Sequence, residues 1–333
     1  METKVGWLNG IVVVTKEGVI RFDPSSKKTQ EYTYTFISHA HSDHIRGLNS
    51  RCYLTAETKD IISSKNCKEE IQKVSTLKYG DELTIGELEI SVHNSGHILG
   101  SAQYVIRDKN LTIVYTGDIN FRKMMTTTAA EIVPCDILIL ETTYGNPFYV
   151  FPTLTETYVN VINWAISEIQ KDRIPTFVVY SVGKAQEIIK IFNNFTNIPV
   201  RVSHTIAKIN EAYIKNGVNL KYLDIAFEEQ EGIEPKFIQV ISTFEKPILL
   251  NRCSFASASG WALKHHNSNK KYFPLSCHAD FDELIDYVKC VKPKEIFTIH
   301  GFKADFSRYV SKKLGIRAQP IPIIDQKDLR IFM

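Results

Sequence analysis

The chain lacks any run of about twenty apolar residues that could span a bilayer, and no apolar stretch with a basic lead stands at its start. Its six cysteines (Cys52, Cys67, Cys135, Cys253, Cys277 and Cys290) fall at no paired spacing. That argues against both a cysteine-type zinc finger and a disulfide framework, and it predicts a reducing cytoplasm as the home of the chain. A dominant charge is missing too: 40 Lys and Arg stand against 37 Asp and Glu, a formal net charge of +3. Any surface for nucleic acid must therefore be local rather than global. No internal repeat or low-complexity tract is visible, and the Asn and Lys content of residues 265–271 fits a solvated loop. What remains is 333 residues with 44% hydrophobic content, enough for a substantial core in one large domain or two.

Against that ordinary background, residues 39–44 read His-Ala-His-Ser-Asp-His. Five of these six side chains could bind or orient a metal, and they follow a run, Tyr34 to Ile37, that reads as a β-strand. If the strand pattern continues, His39 and His41 point the same way, while Asp43 and His44 are expected to start a helix and to face a second ion. Two metals need more ligands than one turn supplies. Further candidates end apolar segments: His97 in the glycine-rich turn Ser95-Gly96-His97-Ile98-Leu99-Gly100, Asp118 straight after Leu111 to Tyr115, and His300 closing Glu295 to Ile299. A single histidine after a strand is most often a surface or satisfied core residue. Taken together, the set is hard to explain as packing.

The first part of the chain is dominated by short strand-like runs: Gly10 to Val14, Val19 to Phe22, Tyr34 to Ile37, Glu87 to His93, Ala102 to Ile106, Leu111 to Tyr115 and Ile137 to Leu140. From about residue 151 the texture alternates between helix (Thr155 to Gln170, Lys184 to Phe195) and strand (Thr176 to Tyr180), which predicts a small parallel sheet. Ligands on both sides of this middle segment must meet, so it is expected to be an insertion whose mouth caps the metals.

With these residues the chain resembles the metallo-β-lactamase superfamily, whose hallmark is a His-x-His-x-Asp-His turn followed by a lone His, a lone Asp and a final His. It resembles the β-CASP nucleases more closely, through Glu141 in Leu138-Ile139-Leu140-Glu141-Thr142-Thr143-Tyr144-Gly145 and His278 in Ser276-Cys277-His278-Ala279-Asp280-Phe281. The stretches Val182-Gly183-Lys184-Ala185-Gln186 and Ser259-Gly260-Trp261 look most like the DNA-ligase-associated exonucleases; the Glu141 and His278 segments are also similar to RNA-processing nucleases of the cleavage and polyadenylation type. The resemblance implies an α/β fold, a metallo-β-lactamase αββα sandwich (residues 1–150 plus 268–333) with an inserted α/β β-CASP domain (residues 151–267). It also implies a zinc-dependent nuclease, a 5′ to 3′ exonuclease of the DNA-repair type, with an RNA-processing ribonuclease as the alternative.

A His-rich site with few carboxylates suits Zn²⁺ better than Mg²⁺. Carried over by position, one Zn²⁺ would be held by His39, His41, His97 and Asp118, and the other by Asp43, His44, Asp118 and His300, with Mn²⁺ as a substitute. Asp43 and Asp118 thereby count among the catalytic groups. His278 would protonate the leaving oxygen with Glu141 behind it, and Asp23, before Pro24, resembles the aspartate that fixes the ligand turn. Ser181, Gly183 and Lys184, where a strand passes into a helix, form a candidate phosphate seat. Trp261 is either a base-stacking platform or a core residue. His93, His204, His265 and His266 match no motif position and read as structural or surface residues.

The expected partners are single- or double-stranded DNA or RNA and no membrane, and the resemblance adds association with a DNA ligase or helicase. Two departures bear on substrate: Cys277 stands where ligase-associated relatives usually carry an acid, and His300 speaks against the Artemis-like branch. No KH module precedes the metal-site residues, which puts a role like that of the archaeal 3′-end-processing endonuclease in doubt. A small-molecule hydrolase would share the ligands without needing the insertion or His278, and a non-catalytic nucleic-acid-binding relative would tend to lose ligands.

Overall fold

The computed structural model describes residues 3–27, 33–65, 69–227, 236–243, 245–264 and 269–325. The chain forms two compact units: one comprises Met1–Arg122, Ala129–Phe148 and His278–Met333, the other Lys123–Thr128 and Tyr149–Cys277. The return to the first unit falls at His278 rather than at residue 268, because Lys271–Phe273 is a strand of the second unit, paired with Cys253–Ala258.

The first unit holds two sheets. One runs in chain order through Lys4–Trp7, Ile11–Thr15, Gly18–Phe22, Thr33–Phe36, Cys52–Thr55 and Ser75–Leu77. The other has the order Arg317–Pro320, Glu295–Ile299, Ile137–Glu141, Thr112–Tyr115, Ala102–Arg107, Leu88–Asn94 and Glu82–Ile85. Alternation decides what each strand buries. Ile11 and Val13 join Phe22, Phe36, Tyr104 and Tyr115 in the core between the sheets, while Val12 and Val14 point to the opposite face with Val19. Every residue of Ile11–Thr15 is buried, as a strand covered on both faces requires. The Phe22 ring lies 4.7 Å from Tyr115 and 5.8 Å from Phe36, centroid to centroid; burying such a side chain is worth roughly 1.5–3 kcal/mol.

On the far face of the second sheet, Leu138, Leu140 and Ile296 pack against two helices, Phe281–Val291 and Lys303–Leu314. The first helix starts where it does because Asp280 accepts from the Glu283 N–H and Glu283 accepts from the Asp280 N–H, a reciprocal cap. The strands Thr112–Tyr115, Ile137–Glu141 and Glu295–Ile299 run parallel. Leu88–Asn94 shares their direction through two antiparallel pairings. The carboxyl ends of all four therefore open on one edge of the sheet.

The second unit is built on an all-parallel six-stranded sheet in the order Leu223–Asp224, Val200–Val202, Ile238–Ile241, Ile174–Val178, Cys253–Ala258 and Lys271–Phe273. Its helices include Leu154–Gln170, Lys184–Phe195 and His204–Lys215. Trp164 meets Phe177 and Phe273 edge-on, which ties the first of these to the sheet. No described helix is long and apolar enough to cross a membrane.

The helix expected to start at Asp43 and His44 is absent. That stretch is a turn, closed by the His44 N–H donating to the His41 carbonyl at 3.1 Å, and the first helix is Ala56–Lys65. A helix would carry successive side chains around its axis, whereas the turn leaves His41, Asp43 and His44 free to point where each is needed.

Candidate metal centre

Strand ends bring the chemistry together, and every residue involved lies in the first unit. His39 follows Thr33–Phe36, His97 follows Leu88–Asn94, Asp118 follows Thr112–Tyr115, Glu141 ends its own strand, and His300 follows Glu295–Ile299. Two glycines allow the close approach. At Gly117 (φ 54°) a Cβ would lie 2.7 Å from the Ser38 Cβ, and at Gly301 (φ 43°) one would lie 2.4 Å from the Thr143 backbone. His300 itself has φ 57° and Asp23 φ 44°, conformations that side chains other than glycine rarely adopt.

His39, His41, His97 and Asp118 form one group whose ligand atoms all lie within 4.8 Å of one another. His41 Nδ1 stands 3.0 Å from His39 Nε2 and 3.1 Å from His97 Nε2, and Asp118 Oδ2 stands 3.5 and 3.6 Å from the same two nitrogens. Bonds of about 2.0–2.1 Å to a tetrahedral Zn²⁺ separate ligand atoms by about 3.3 Å. The donor set and its spacing therefore fit such an ion. His44, Asp118 and His300 form a second group, with His44 Nε2 at 3.7 Å from both Asp118 Oδ2 and Asp43 Oδ2. Asp43 is not part of that group: its side chain is 63% exposed, and it stands beside His44 at the rim.

The imidazoles are fixed from behind. Asp23 is buried and accepts four hydrogen bonds: from the Ser38 N–H at 2.7 Å, the Ser38 hydroxyl at 2.5 Å, the Tyr115 hydroxyl at 2.6 Å and His44 Nδ1 at 2.8 Å. Because the Ser38 hydroxyl donates to Asp23, its oxygen is left to accept from His39 Nδ1 at 2.9 Å. These contacts occupy Nδ1 of both rings and turn Nε2 toward the centre, where its lone pair would be offered to a bound metal ion. Ser38 and Tyr115 escaped the sequence reading: Tyr115 ends an apolar strand and looks like core, and nothing in the spacing marks Ser38 beyond its place before His39.

The electrostatics of the pocket call for positive charge. Burial, reinforced by the neighbouring imidazoles, holds His39 well below the ordinary histidine range. Burial would lower His44 as well, but Asp118, Asp23 and Asp43 outweigh it and raise that ring to about 10. Asp118 is lifted above the usual carboxylate range by burial, against the pull of His44 and His278. Three carboxylates drawing a proton onto a buried imidazole are equally disposed to draw a metal ion.

Beside this centre, His278 Nδ1 is 2.9 Å from Glu141 Oε1 and 4.0 Å from Asp118 Oδ2. Glu141 is fully buried yet well satisfied, accepting also from the Ile119 and Thr143 N–H groups. Burial works to raise its pKa, but His278 and the Thr143 bonds prevail and hold it below the usual carboxylate range. Nδ1 of His278 faces Glu141, and its side chain is 21% exposed. The residues Asp118, Glu141 and His278 also meet the spacing for a metal group, so Asp118 belongs to all three clusters.

In the second unit the expected phosphate seat is filled from within. Lys184 is buried, and its ammonium donates to the Leu275 carbonyl at 2.6 Å and lies 3.2 Å from Cys277 Sγ. The Gly183 N–H donates to Gln186 Oε1 and the Ala185 N–H to the Tyr180 carbonyl, while Ser181 is half-buried. One turn on, Glu187 is buried and accepts from Tyr158, Met125 and Thr126. This end of the helix binds its own chain, and the reason is burial: a lysine that cannot reach water must find an internal carbonyl.

Trp261 is partly exposed and meets Tyr149 edge-on at 5.2 Å. His93 pairs with Glu131 and His204 with Asp224, each at 2.8 Å. His265, His266 and Cys67 lie outside the described residues.

Residues 19–162 match the β-lactamase superfamily domain, and residues 267–320 match the Zn-dependent metallo-hydrolase RNA specificity domain. Over 305 residues the chain is 27% identical to a probable DNA ligase of Opitutus terrae, covering 89% of this chain and 29% of that protein. It is 23% identical to cleavage and polyadenylation specificity factor 73 of Drosophila melanogaster (84% of this chain, 54% of that protein). It is 26% identical to an RNase J-like protein of Methanocaldococcus jannaschii, covering 80% of each. The chain thus spans under a third of the ligase and about half of the cleavage factor. A crystal structure of a protein of unknown function from Enterococcus faecalis V583 has the same fold, with a TM-score of 0.66 at 16% identity over 97% of this chain and 98% of that one. The chain carries a β-lactamase superfamily domain followed by a metallo-hydrolase RNA specificity domain, around an aspartate shared by three clusters that hold six histidines between them; it is a metallo-β-lactamase-type chain whose pair of domains is consistent with the β-CASP family.

Proposed function

We propose that the protein is a zinc-dependent nuclease that hydrolyses phosphodiester bonds of nucleic acid. In this reading His39, His41, His97 and Asp118 hold one ion, and Asp43, His44, Asp118 and His300 hold a second. Such ions supply Lewis acidity to the phosphate oxygens and make water acidic enough to attack near neutral pH. The observation that carries the reading is the His278–Glu141 pair, 2.9 Å apart and beside Asp118, because hydrolysis of a phosphodiester needs a proton on its leaving oxygen. Glu141 orients the ring through Nδ1 and favours its protonated form. His278 then gives its Nε2 proton to the departing oxygen as the water oxygen bonds to phosphorus; the proton shed by water passes to solvent, from which His278 is recharged.

Within that class, the finer reading is a 5′ to 3′ exonuclease of the DNA-repair type, supported by the likeness to a probable DNA ligase. A ribonuclease is the second reading, favoured by the RNA specificity domain match and by the RNase J-like relative, which the chain covers over 80% of its length. End-labelled DNA and RNA, linear and circular, with 5′-phosphate or 5′-hydroxyl ends and incubated with the Zn²⁺-loaded protein, separate these readings. Mononucleotides from the 5′ end of linear DNA support the first; cleavage confined to RNA supports the second. No cleavage of any strand would refute the nuclease reading.

A further inference from the structure

Arg122 lies four residues past Asp118 and takes no part in the centre described above, yet its guanidinium is committed. Nε donates to Glu283 Oε1 at 2.7 Å, and a terminal nitrogen donates to Asp280 Oδ2 at 2.6 Å. These two carboxylates are the reciprocal cap of the helix that begins directly after the His278 turn. Asp280 is buried and the Arg122 side chain is 17% exposed, so the pair is shielded from solvent. Between the ends of this clamp, the Ala279 N–H donates to the Ile119 carbonyl at 2.7 Å, and the Ile119 N–H donates to Glu141 Oε1 at 3.2 Å. That same oxygen receives His278 Nδ1. The contacts close a ring running from the segment after Asp118, through the helix cap, to the His278 turn and back through Glu141.

We propose that Arg122 is a positioning residue, whose two-armed grip on Asp280 and Glu283 holds the His278 imidazole in place over the metal centre. The planar fork of an arginine reaches two acceptors in one plane and pairs with both at once. Without it, two neighbouring carboxylates at a helix start lose the guanidinium that bridges them, and the Ala279–Ile119 bond is the one described backbone bond left tying the His278 turn to the Asp118 segment. The inference rests on the nuclease reading only for what His278 does there; the grip itself is independent of substrate.

Two measurements test it on the full-length, Zn²⁺-loaded protein. The first is peptide-level hydrogen exchange of residues 276–283, compared between wild type, Arg122→Gln and Arg122→Lys. Arg122→Gln is expected to speed exchange there at least tenfold with zinc content unchanged, and Arg122→Lys, which keeps the charge but not the fork, to fall between. The second is leaving-group dependence. Bis(p-nitrophenyl) phosphate expels p-nitrophenolate, which leaves without a proton, whereas a nucleotide leaving oxygen needs one. Arg122→Gln is expected to lower kcat on a nucleic-acid strand by about ten- to a hundredfold, with KM unchanged, and to alter the p-nitrophenyl rate less than threefold. Unchanged exchange in residues 276–283 overturns the proposal whatever the substrate is. Equal losses on both substrates, or lost zinc, overturn it as well by making Arg122 a general structural support. If wild type cuts the p-nitrophenyl ester but no nucleic acid, the nuclease reading fails while the exchange result still decides the role of Arg122.

Discussion

Asp23→Asn is the smallest change that should loosen the metal centre without touching a ligand. Oδ2 of Asp23 takes three donors, from the Ser38 hydroxyl, the Tyr115 hydroxyl and His44 Nδ1, while Oδ1 takes the Ser38 N–H. Asparagine offers one oxygen and one NH₂ group, so neither orientation of the amide satisfies all four. With the oxygen in the Oδ2 position, the amide nitrogen faces the Ser38 N–H and one buried donor pair is left unsatisfied, at about 1–3 kcal/mol. The opposite flip sets three donors against a donor. The better flip still loses the negative charge, which makes hydrogen bonds about twice as strong as neutral ones. The His44 and His39 rings, held through Asp23 and Ser38, would be less firmly aimed, and loss of such an outer contact typically costs about 10–100-fold in metal affinity. Asparagine tolerates the positive φ at this position, so backbone strain does not confuse the result. Competition with a chromogenic chelator measures zinc affinity, and a thermal melt of the metal-free protein measures the orphaned donor. Zinc affinity within twofold of wild type and an unchanged melting temperature would refute the reasoning.

The remaining predictions concern the ligands, the proton donor and the buried lysine. Asp118→Ala should abolish binding of both ions, since Asp118 is common to every cluster; elemental analysis showing two bound metals in that variant would contradict it. His278→Ala should keep its zinc and lose about a hundredfold or more in rate, whereas His41→Ala should lose zinc too. Glu141→Gln should resemble His278→Ala more mildly. It should also flatten acid unfolding: folding holds Glu141 below the ordinary carboxylate range, so it stabilises the protein above the unfolded pKa of about 4.5, and that contribution is lost as the pH falls through the folded value. Lys184→Met should lower the melting temperature by removing the donor to Leu275, and leave any preference for a 5′-phosphate intact; loss of that preference in a normally folded variant would restore Lys184 as a phosphate seat.

What the sequence made legible follows from how much chemistry a short stretch can carry. Three histidines and an aspartate within six residues have few structural uses, so the ligand turn could be read with no fold in hand. The strands behind Asp118, Glu141 and His300 were legible for another reason: a run such as Ile137 to Leu140 is apolar on both faces because helices cover one and the first sheet covers the other. The turn at Asp43 was not, because helix propensity there gives way to the directions the ligands must take. Ser38, Tyr115 and Arg122 were missed because each acts through a residue far off in sequence: Tyr115 reaches Asp23 across 92 positions, and Arg122 reaches Asp280 across 158. Lys184 misled for the opposite reason. A Gly-Lys pair at a helix start has the composition of an anion site, but composition does not say whether a four-carbon side chain turns to solvent or to a carbonyl of its own chain.

The position of Asp118 ties these strands of argument together. It is nearly buried, and it faces His39, His97 and His44 at 3.5, 3.6 and 3.7 Å and His278 at 4.0 Å. A carboxylate so placed cannot be solvated by water, and burial lifts its pKa accordingly. Four imidazoles around it cannot all be protonated, because their mutual repulsion in a buried pocket would exceed the attraction of one carboxylate. With protons alone the positive charge falls on His44 while burial keeps His39 neutral, so the charge this pocket calls for is only partly met. It is better met when concentrated positive charge sits between the carboxylate and neutral rings, with the protons of His39 and His44 turned outward to Ser38 and Asp23. The outward bonds matter as much as the inward lone pairs: they make a metal ion, rather than a set of protons, the cation that this pocket favours.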